Sequence, residues 1–243
     1  MSKLPNAPLL EVIYELKWNI TNNQDLGKYQ YLHGDLYAKL REFFTTREQL
    51  VAPEIPLDLL IQKAIHRFRR VANGYPLYQT GPGILTFNTD NDSYYWDQYY
   101  TEAERLTKSF FEVYQYSKDE KFRPSLMFID FFQFNFNEKD VLSFITENLH
   151  ININQTFYRQ QSPASGFNLD LAYKTEYGQL HILLSTGLAN VKQGNGLILQ
   201  TRLNGPEFAG NPEQILAWLS TAQDFCSKMF KEMTKGKLYE SFK

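Results

Sequence analysis

Ala7-Pro8-Leu9-Leu10-Glu11-Val12-Ile13-Tyr14-Glu15-Leu16-Lys17-Trp18-Asn19 reads as a β-strand with two unlike faces. Leu10, Val12, Tyr14, Leu16 and Trp18 alternate with Glu11, Ile13, Glu15 and Lys17 at the strand period of two, so one face is apolar and the other mostly charged. Pro8 stands at the entrance, where a missing N–H is tolerated. Such a strand needs a cover on one side only. The pattern predicts burial of Leu10, Val12, Tyr14, Leu16 and Trp18, with Glu11, Glu15 and Lys17 exposed.

The cover follows in the sequence. Within residues 25–44, Tyr29, Leu32, Leu36, Leu40 and Phe43 recur every three or four positions, the mark of an amphipathic helix. Residues 48–56 form a connection containing Pro53 and Pro56, and residues 57–61 fit either a helical turn or a strand. Residues 63–72 read as extended, and Gly74 to Pro76 and Gly81-Pro82-Gly83 punctuate short strands at 77–80 and 84–88. N-cap side chains at 90–93 then precede a second helix carrying Trp96, Tyr99, Ala103, Leu106, Phe110 and Val113 on one stripe.

The same order returns. Residues 126–136 are apolar on both parities and belong near the centre of a sheet. A short helix runs from Asp140 through Leu149, a hairpin turns at Tyr177-Gly178, Gly194-Asn195-Gly196 is expected at a hairpin tip, and residues 197–203 form another strand. The last helix opens with Asn211 as N-cap, Pro212 at the first helical position and Gln214 at N3, ahead of a stripe of Ile215, Leu219, Ala222, Cys226, Met229 and Met233. Strand, helix, meander and helix thus occur twice, in two interlocked halves at 1–121 and 122–243. The expected class is α+β: an antiparallel-rich sheet with long helices packed on one face. The order is similar to the TATA-binding and helix-grip arrangements, a likeness that carries no function.

Composition narrows the function classes. The chain has 243 residues, 43% of them apolar, enough to bury roughly 70–75% of the surface its unfolded form exposes without a metal or disulfide staple. Twenty-five basic and 27 acidic residues leave a net charge of −2, which supplies no global field for nucleic acid or an anionic membrane. The first ten residues hold no apolar run of signal-peptide length, and nowhere do eighteen apolar residues run together. A cytoplasmic protein is expected, in which the sequons at Asn19, Asn91 and Asn154 carry no meaning. Aromatics are plentiful, with three Trp, 16 Tyr and 19 Phe. Most belong in the core, and the remainder suit a ligand pocket.

Several fragments, in order along nearly the whole chain, resemble a sporadically distributed family of uncharacterised bacterial proteins. They are Ala7-Pro8-Leu9-Leu10-Glu11-Val12, the block Gln79-Thr80-Gly81-Pro82-Gly83 with Asn88 and Trp96 after it, residues 126–136, and the terminal helix with Phe230, Met233 and Thr234. The chain departs from that pattern at Asp130, where the family has Asn, and at Gln200, where Asp is frequent. The resemblance implies an accessory role in mobile, defence-linked or toxin-linked gene systems and no established activity.

No catalytic or cofactor motif is written locally. Gly81-Pro82-Gly83 lacks the convergent amides of a phosphate cradle and reads as a turn. No Gly-x-Ser-x-Gly elbow occurs, and His33, His66, His150 and His181 show neither i, i+4 pairing nor a CxxC partner, so no metal or cofactor is expected. Cys226 reads as a small buried apolar group. Two polar features are less readily absorbed by packing. Asp130 sits in an apolar strand, where an isolated carboxylate is costly unless it is paired or forms a site. Lys63, Arg67 and Arg69 share one parity of the extended segment, with Arg70 opposite, and form either a phosphate grip or a solvated ladder facing Glu11 and Glu15. The leading expectation is a non-catalytic binding or regulatory protein with a protein partner. The alternatives are a small-molecule-binding or enzymatic domain with an aromatic pocket, and nucleic-acid binding through the basic strand.

Overall fold

The opening strand, β1 (Leu9–Trp18), occupies the middle of a nine-stranded sheet. The computed structural model describes residues 3–154, 164, 166–189 and 194–243. Along the chain β1 is followed by α1 (Asn23–Leu40), β2 (Thr46–Gln49), a 3₁₀ turn (Leu57–Leu60), β3 (His66–Arg69), β4 (Leu77–Gly81), β5 (Ile84–Asp90) and α2 (Trp96–Val113). The second half contributes β6 (Phe122–Gln133), α3 (Val141–Asn148), β7 (Asn168–Thr175), β8 (Gly178–Ala189), β9 (Gly194–Asn204), α4 (Pro212–Thr234) and α5 (Lys237–Glu240). The strand order is β2-β3-β4-β5-β1-β6-β9-β8-β7, and every pairing is antiparallel. Each half therefore sends its first strand to the centre, and its meander returns to lie beside that strand. The fold is α+β.

Register gives the sheet its two faces. One row crosses all nine strands through Arg47, Phe68, Tyr78, Phe87, Tyr14, Leu126, Leu203, Leu180 and Tyr173. The neighbouring row, one residue along each strand, is polar throughout: Glu48, Arg67, Gln79, Thr86, Glu15, Ser125, Asn204, Gln179 and Lys174. Side chains alternate in direction along a strand, so the two rows face opposite ways. Apart from Arg47 at the edge, the first row is apolar or aromatic, and it meets α1, α2 and α4. The Tyr29 hydroxyl of α1 reaches the Thr80 carbonyl, Tyr99 of α2 reaches the Phe87 carbonyl, and Trp218 of α4 reaches the Tyr177 carbonyl. Trp18 closes one end of this layer, with ring centroids 4.9 Å from Phe110 and 5.1 Å from Tyr114.

Helix starts follow local chemistry. Asn22, Asp140 and Asn211 accept from backbone N–H groups three residues on, capping α1, α3 and α4, and Pro212 opens α4. Pro82 and Gly83 make the two-residue link between β4 and β5. Gly83 sits at φ +78, and a Cβ on Gly81 would strike the Lys63 carbonyl.

Four expectations change in the structure. A β-bulge between Leu9 and Glu11 turns Leu9 inward and leaves Leu10 half-buried. Glu11, Glu15 and Lys17 are half-buried because polar neighbours surround them: Glu11 accepts from Asn88 and Tyr75, and Glu15 pairs with Arg202 and Lys17. Thr46–Gln49 form the edge strand β2, so residues 48 and 49 belong to a strand and not to the connection expected over 48–56. Gly194-Asn195-Gly196 opens β9 instead of forming a hairpin tip, and a Cβ on Gly196 would meet Phe131 and Phe132.

Tyr14 is fully buried, and its hydroxyl lies 3.2 Å from Thr107 Oγ1 of α2. Tyr14→Ala is expected to destabilise by about 3–5 kcal/mol and Tyr14→Phe by about 1 kcal/mol, read from urea unfolding midpoints.

A second expectation concerns pH. The His66 ring stacks on His33 of α1 with centroids 4.1 Å apart, and its Nδ1 lies 2.8 Å from the Tyr29 hydroxyl. Burial, with the nearby His33 and Arg47, holds His66 down at about 4 against an ordinary 6.5. The unfolded chain therefore binds the extra proton first, so this site stabilises the fold fully above pH 6.5 and loses that contribution as pH falls towards 4. Thermal melts should decline over that window, and His66→Gln should flatten the decline.

Candidate functional site

Asp130 lies on β6 one turn of the pleat beyond Phe128 and pairs with Leu9 across the bulge and with Leu199 on β9. It therefore points to the helix-covered side of the sheet, and it is 5% exposed. Thr201, opposite Phe128 on β9, points the same way and is 2% exposed. Both side chains line a cavity of about 630 Å³ between the sheet and α4, a size suited to a small organic ligand.

The cavity is built from distant parts of the chain. Gln223, Cys226 and Ser227 reach it from α4, and Tyr94 and Trp96 from the start of α2. Residues 3–8 cross its outer side and are fixed there: Asn6 N–H donates to the Phe242 carbonyl at 3.0 Å, and Phe131 N–H donates to the Pro8 carbonyl at 2.8 Å. Phe242 in turn stacks between Phe132 and Phe230. The bulge lets residues 3–8 leave the sheet beside Asp130 instead of extending β1.

Its chemistry is recognition by hydrogen bonds within apolar walls. Burial, reinforced by the Asp130 carboxylate, pushes the Tyr94 phenol far above its ordinary range, while a hydrogen bond from Gln223 pulls the other way, so Tyr94 remains a protonated phenol at neutral pH. Burial raises the Cys226 thiol to about 12, which makes it inert as a nucleophile. None of the four histidines lines the cavity. Two buried acceptor atoms in the lining, Thr201 Oγ1 and Asn91 Oδ1, have no hydrogen-bond partner. Buried polar atoms in folded proteins are nearly always bonded, so each exception calls for a physical reason. A second hollow beside α3 is lined largely by solvent-facing groups such as Glu138, Lys139 and Glu147 and has no comparable inner wall.

The basic candidates lie elsewhere. Arg67 and Arg69 face the opposite side of the sheet from Asp130, and Lys63 is exposed ahead of β3. Arg67 donates from Nε to Gln79 Oε1 at 3.0 Å and lies 3.4 Å from Glu48, while Arg69 bonds Glu48 at 2.5 Å and the Gly74 carbonyl at 2.9 Å. The opposing acid is thus Glu48 of β2, in place of the expected Glu11 and Glu15. The Arg69 side chain is 12% exposed and structural in its bonding. Among the described residues no group of three or more His, Cys, Asp or Glu is placed to hold a metal ion, and no helix is long and apolar enough to cross a membrane.

Compared with family models, curated proteins and solved structures, the chain gives no match.

Thr201, Gln223 and Tyr94 were not singled out by the sequence, yet a signal was present for two of them. Thr201 breaks the apolar series Leu197, Leu199, Leu203 at the strand period, and Gln223 is buried among the apolar positions of α4. Thr201→Val replaces an unpartnered hydroxyl with a methyl of equal shape and should stabilise the protein by about 1–2 kcal/mol in chemical denaturation. Arg69→Glu should instead destabilise it by about 1.5–3 kcal/mol, because it removes charged hydrogen bonds and places two acids together.

Proposed function

We propose that the protein is a non-catalytic binding protein whose ligand is a small molecule held in the cavity over Asp130. The observation that carries this reading is the Thr201 hydroxyl, 2% exposed and without a partner on the floor of a 630 Å³ cavity. An apolar side chain there would make a more stable core, so the polar floor is better explained by a ligand that completes its bonding. The protonated Cys226 and the absence of histidine from the lining favour binding over nucleophilic catalysis. A ligand-responsive module of this kind suits the accessory role implied by the resemblance to the sporadic bacterial family, in which a protein partner would read the occupied state. Nucleic-acid binding through Arg67 and Arg69 finds less support, since Glu48 and Gln79 already engage both guanidinium groups.

A protein-observed NMR screen of small aromatic fragments tests the reading. Shifts should centre on Phe128, Asp130, Thr201 and Gln223, and Ala7→Trp, which fills the outer part of the cavity, should abolish them without lowering the melting temperature. Fragment binding that is unchanged in Ala7→Trp, or no binding at all, would refute it.

A further inference from the structure

The two ends of the sheet are finished differently. β2 has four residues, and its charged side chains are engaged: Glu48 by Arg67 and Arg69, and Arg47 over the Tyr37 ring at 4.8 Å. β7, at the other end, has eight residues, and among the described residues no backbone group of another segment bonds its outer edge. Thr186 N–H donates to the Phe167 carbonyl at 3.0 Å, and these two stand opposite each other when the β7–β8 register is continued by one step. Backbone groups alternate in direction along a strand, so Leu169, Leu171 and Tyr173 bond β8, while Asn168, Asp170, Ala172 and Lys174 turn their N–H and C=O groups outward. Such an edge is a template for one more strand. Asp170, Ala172 and Lys174 are exposed, and neither charged group is bonded to another described residue. On the other parity Leu169 and Leu171 are half-buried and Tyr173 is 48% exposed.

We propose that β7 is the interface between two copies of this chain, paired antiparallel about a two-fold axis at Ala172 so that the two sheets become continuous. Ala172 then bonds Ala172 of the second copy, Asp170 lies opposite its Lys174, and Lys174 lies opposite its Asp170. In each of these pairs an outward-facing residue meets another, as an antiparallel ladder requires. Charge selects the register. Centring the axis on Asp170 or on Lys174 sets like charges against each other, centring it on Tyr173 sets Asp170 against Glu176, and centring it on Leu171 leaves Asp170 against Ala172 and Lys174 against Asn168. At Ala172 both charges meet an opposite. Within one chain they cannot, because four strand positions hold them about 13 Å apart along the strand. On the helix-covered side the same register lays Leu171 against Tyr173 of the second copy and covers its exposed ring. A charge of one sign on an edge bars association, whereas opposite charges placed symmetrically about Ala172 admit a second copy of this chain and disfavour other strands. The contact is self-complementary and consumes both β7 edges, so assembly stops at two. It stands independently of the ligand-binding reading.

Sedimentation equilibrium on the full chain tests the proposal. The wild-type protein should pass from 28.5 kDa to twice that mass as its concentration rises to about 100 μM. Ala172→Pro deletes an N–H that points away from β8, so it should weaken the dimer at least about tenfold while the dilute protein keeps its melting temperature. Asp170→Lys and Lys174→Asp should each be monomeric alone, and an equimolar mixture of the two should form a heterodimer, because every charge then meets its opposite. Asp170→Lys combined with Lys174→Asp in one chain should recover the wild-type dimer. Each variant is first shown to retain wild-type circular dichroism, and the charge variants carry the test if Ala172→Pro does not fold. A wild-type chain that stays monomeric to about 100 μM, a dimer indifferent to the substitutions, growth beyond two copies, or a mixture that fails to pair overturns the proposal.

Discussion

The pairing of β1 between β5 and β6, in the register that sets Tyr14 against Phe87 and Leu126, is the constraint on which the rest of the molecule depends. Because side chains alternate along a strand, that register assigns a face to every residue of both meanders. It aligns an apolar row under the helices and a polar row on the far side. A slip of one residue would carry Tyr14, Leu16 and Trp18 to the solvent side and bring Glu11, Glu15 and Lys17 beneath α2. Burial of the aromatic row favours the native register, and the far face reinforces it. Arg67 reaches Gln79, Gln79 reaches Thr86, Thr86 reaches Asn88, and Asn88 reaches Glu11, in a hydrogen-bonded path across four strands. Those bonds also require neighbouring strands to keep step.

Against that order, polar groups collect on the helix-covered side both at the His33, His66 and Tyr29 cluster and in the cavity, and the second surrounds open volume. Its position follows from the same register. The bulge at Leu9 and Glu11 ends the regular pairing of β1, sends residues 3–8 across to meet Phe242, and leaves a cavity between the sheet and α4 that Asp130 and Thr201 line. A core of this aromatic richness could have closed over the gap. It leaves a hydroxyl and an amide oxygen without bonds, as Trp18 Nε1, the Tyr78 hydroxyl and Arg202 Nε are elsewhere; on the proposed reading, the two in the cavity are where stability is given up for a ligand.

The strand–helix–meander–helix order, the central strands and the starts of α3 and α4 were legible because they rest on local chemistry: alternation, capping side chains, Pro at N1 and Gly in turns. The edge strand β2 was not, since Thr-Arg-Glu-Gln has no apolar face of its own and is held by pairing to β3. The bulge was invisible for a similar reason, as two adjacent leucines look alike to a period-two reading. Asp130 could be marked from its apolar surroundings. Its companions Thr201, Gln223 and Asn91 could not be joined to it, because they come from β9, α4 and the turn after β5, and only the folded sheet brings them to one cavity.

The contrast between the two polar candidates shows how burial and pairing separate a site from a scaffold. The Arg67–Arg69 ladder is the densest basic cluster in the sequence, yet in the fold each guanidinium has a geometric partner, and Glu48, itself on an edge strand, serves both. Its charge is used to attach β2 to the sheet, on a face whose next positions are also hydrogen-bonded. The cavity behaves in the opposite way. Its polar atoms are fewer and harder to see in the sequence, but they lie out of water, where an unmade hydrogen bond costs about 1–3 kcal/mol while a made one returns only about 1. That physical asymmetry, more than the number of charges gathered in one place, is why the proposed binding function is placed at the cavity that Thr201 lines.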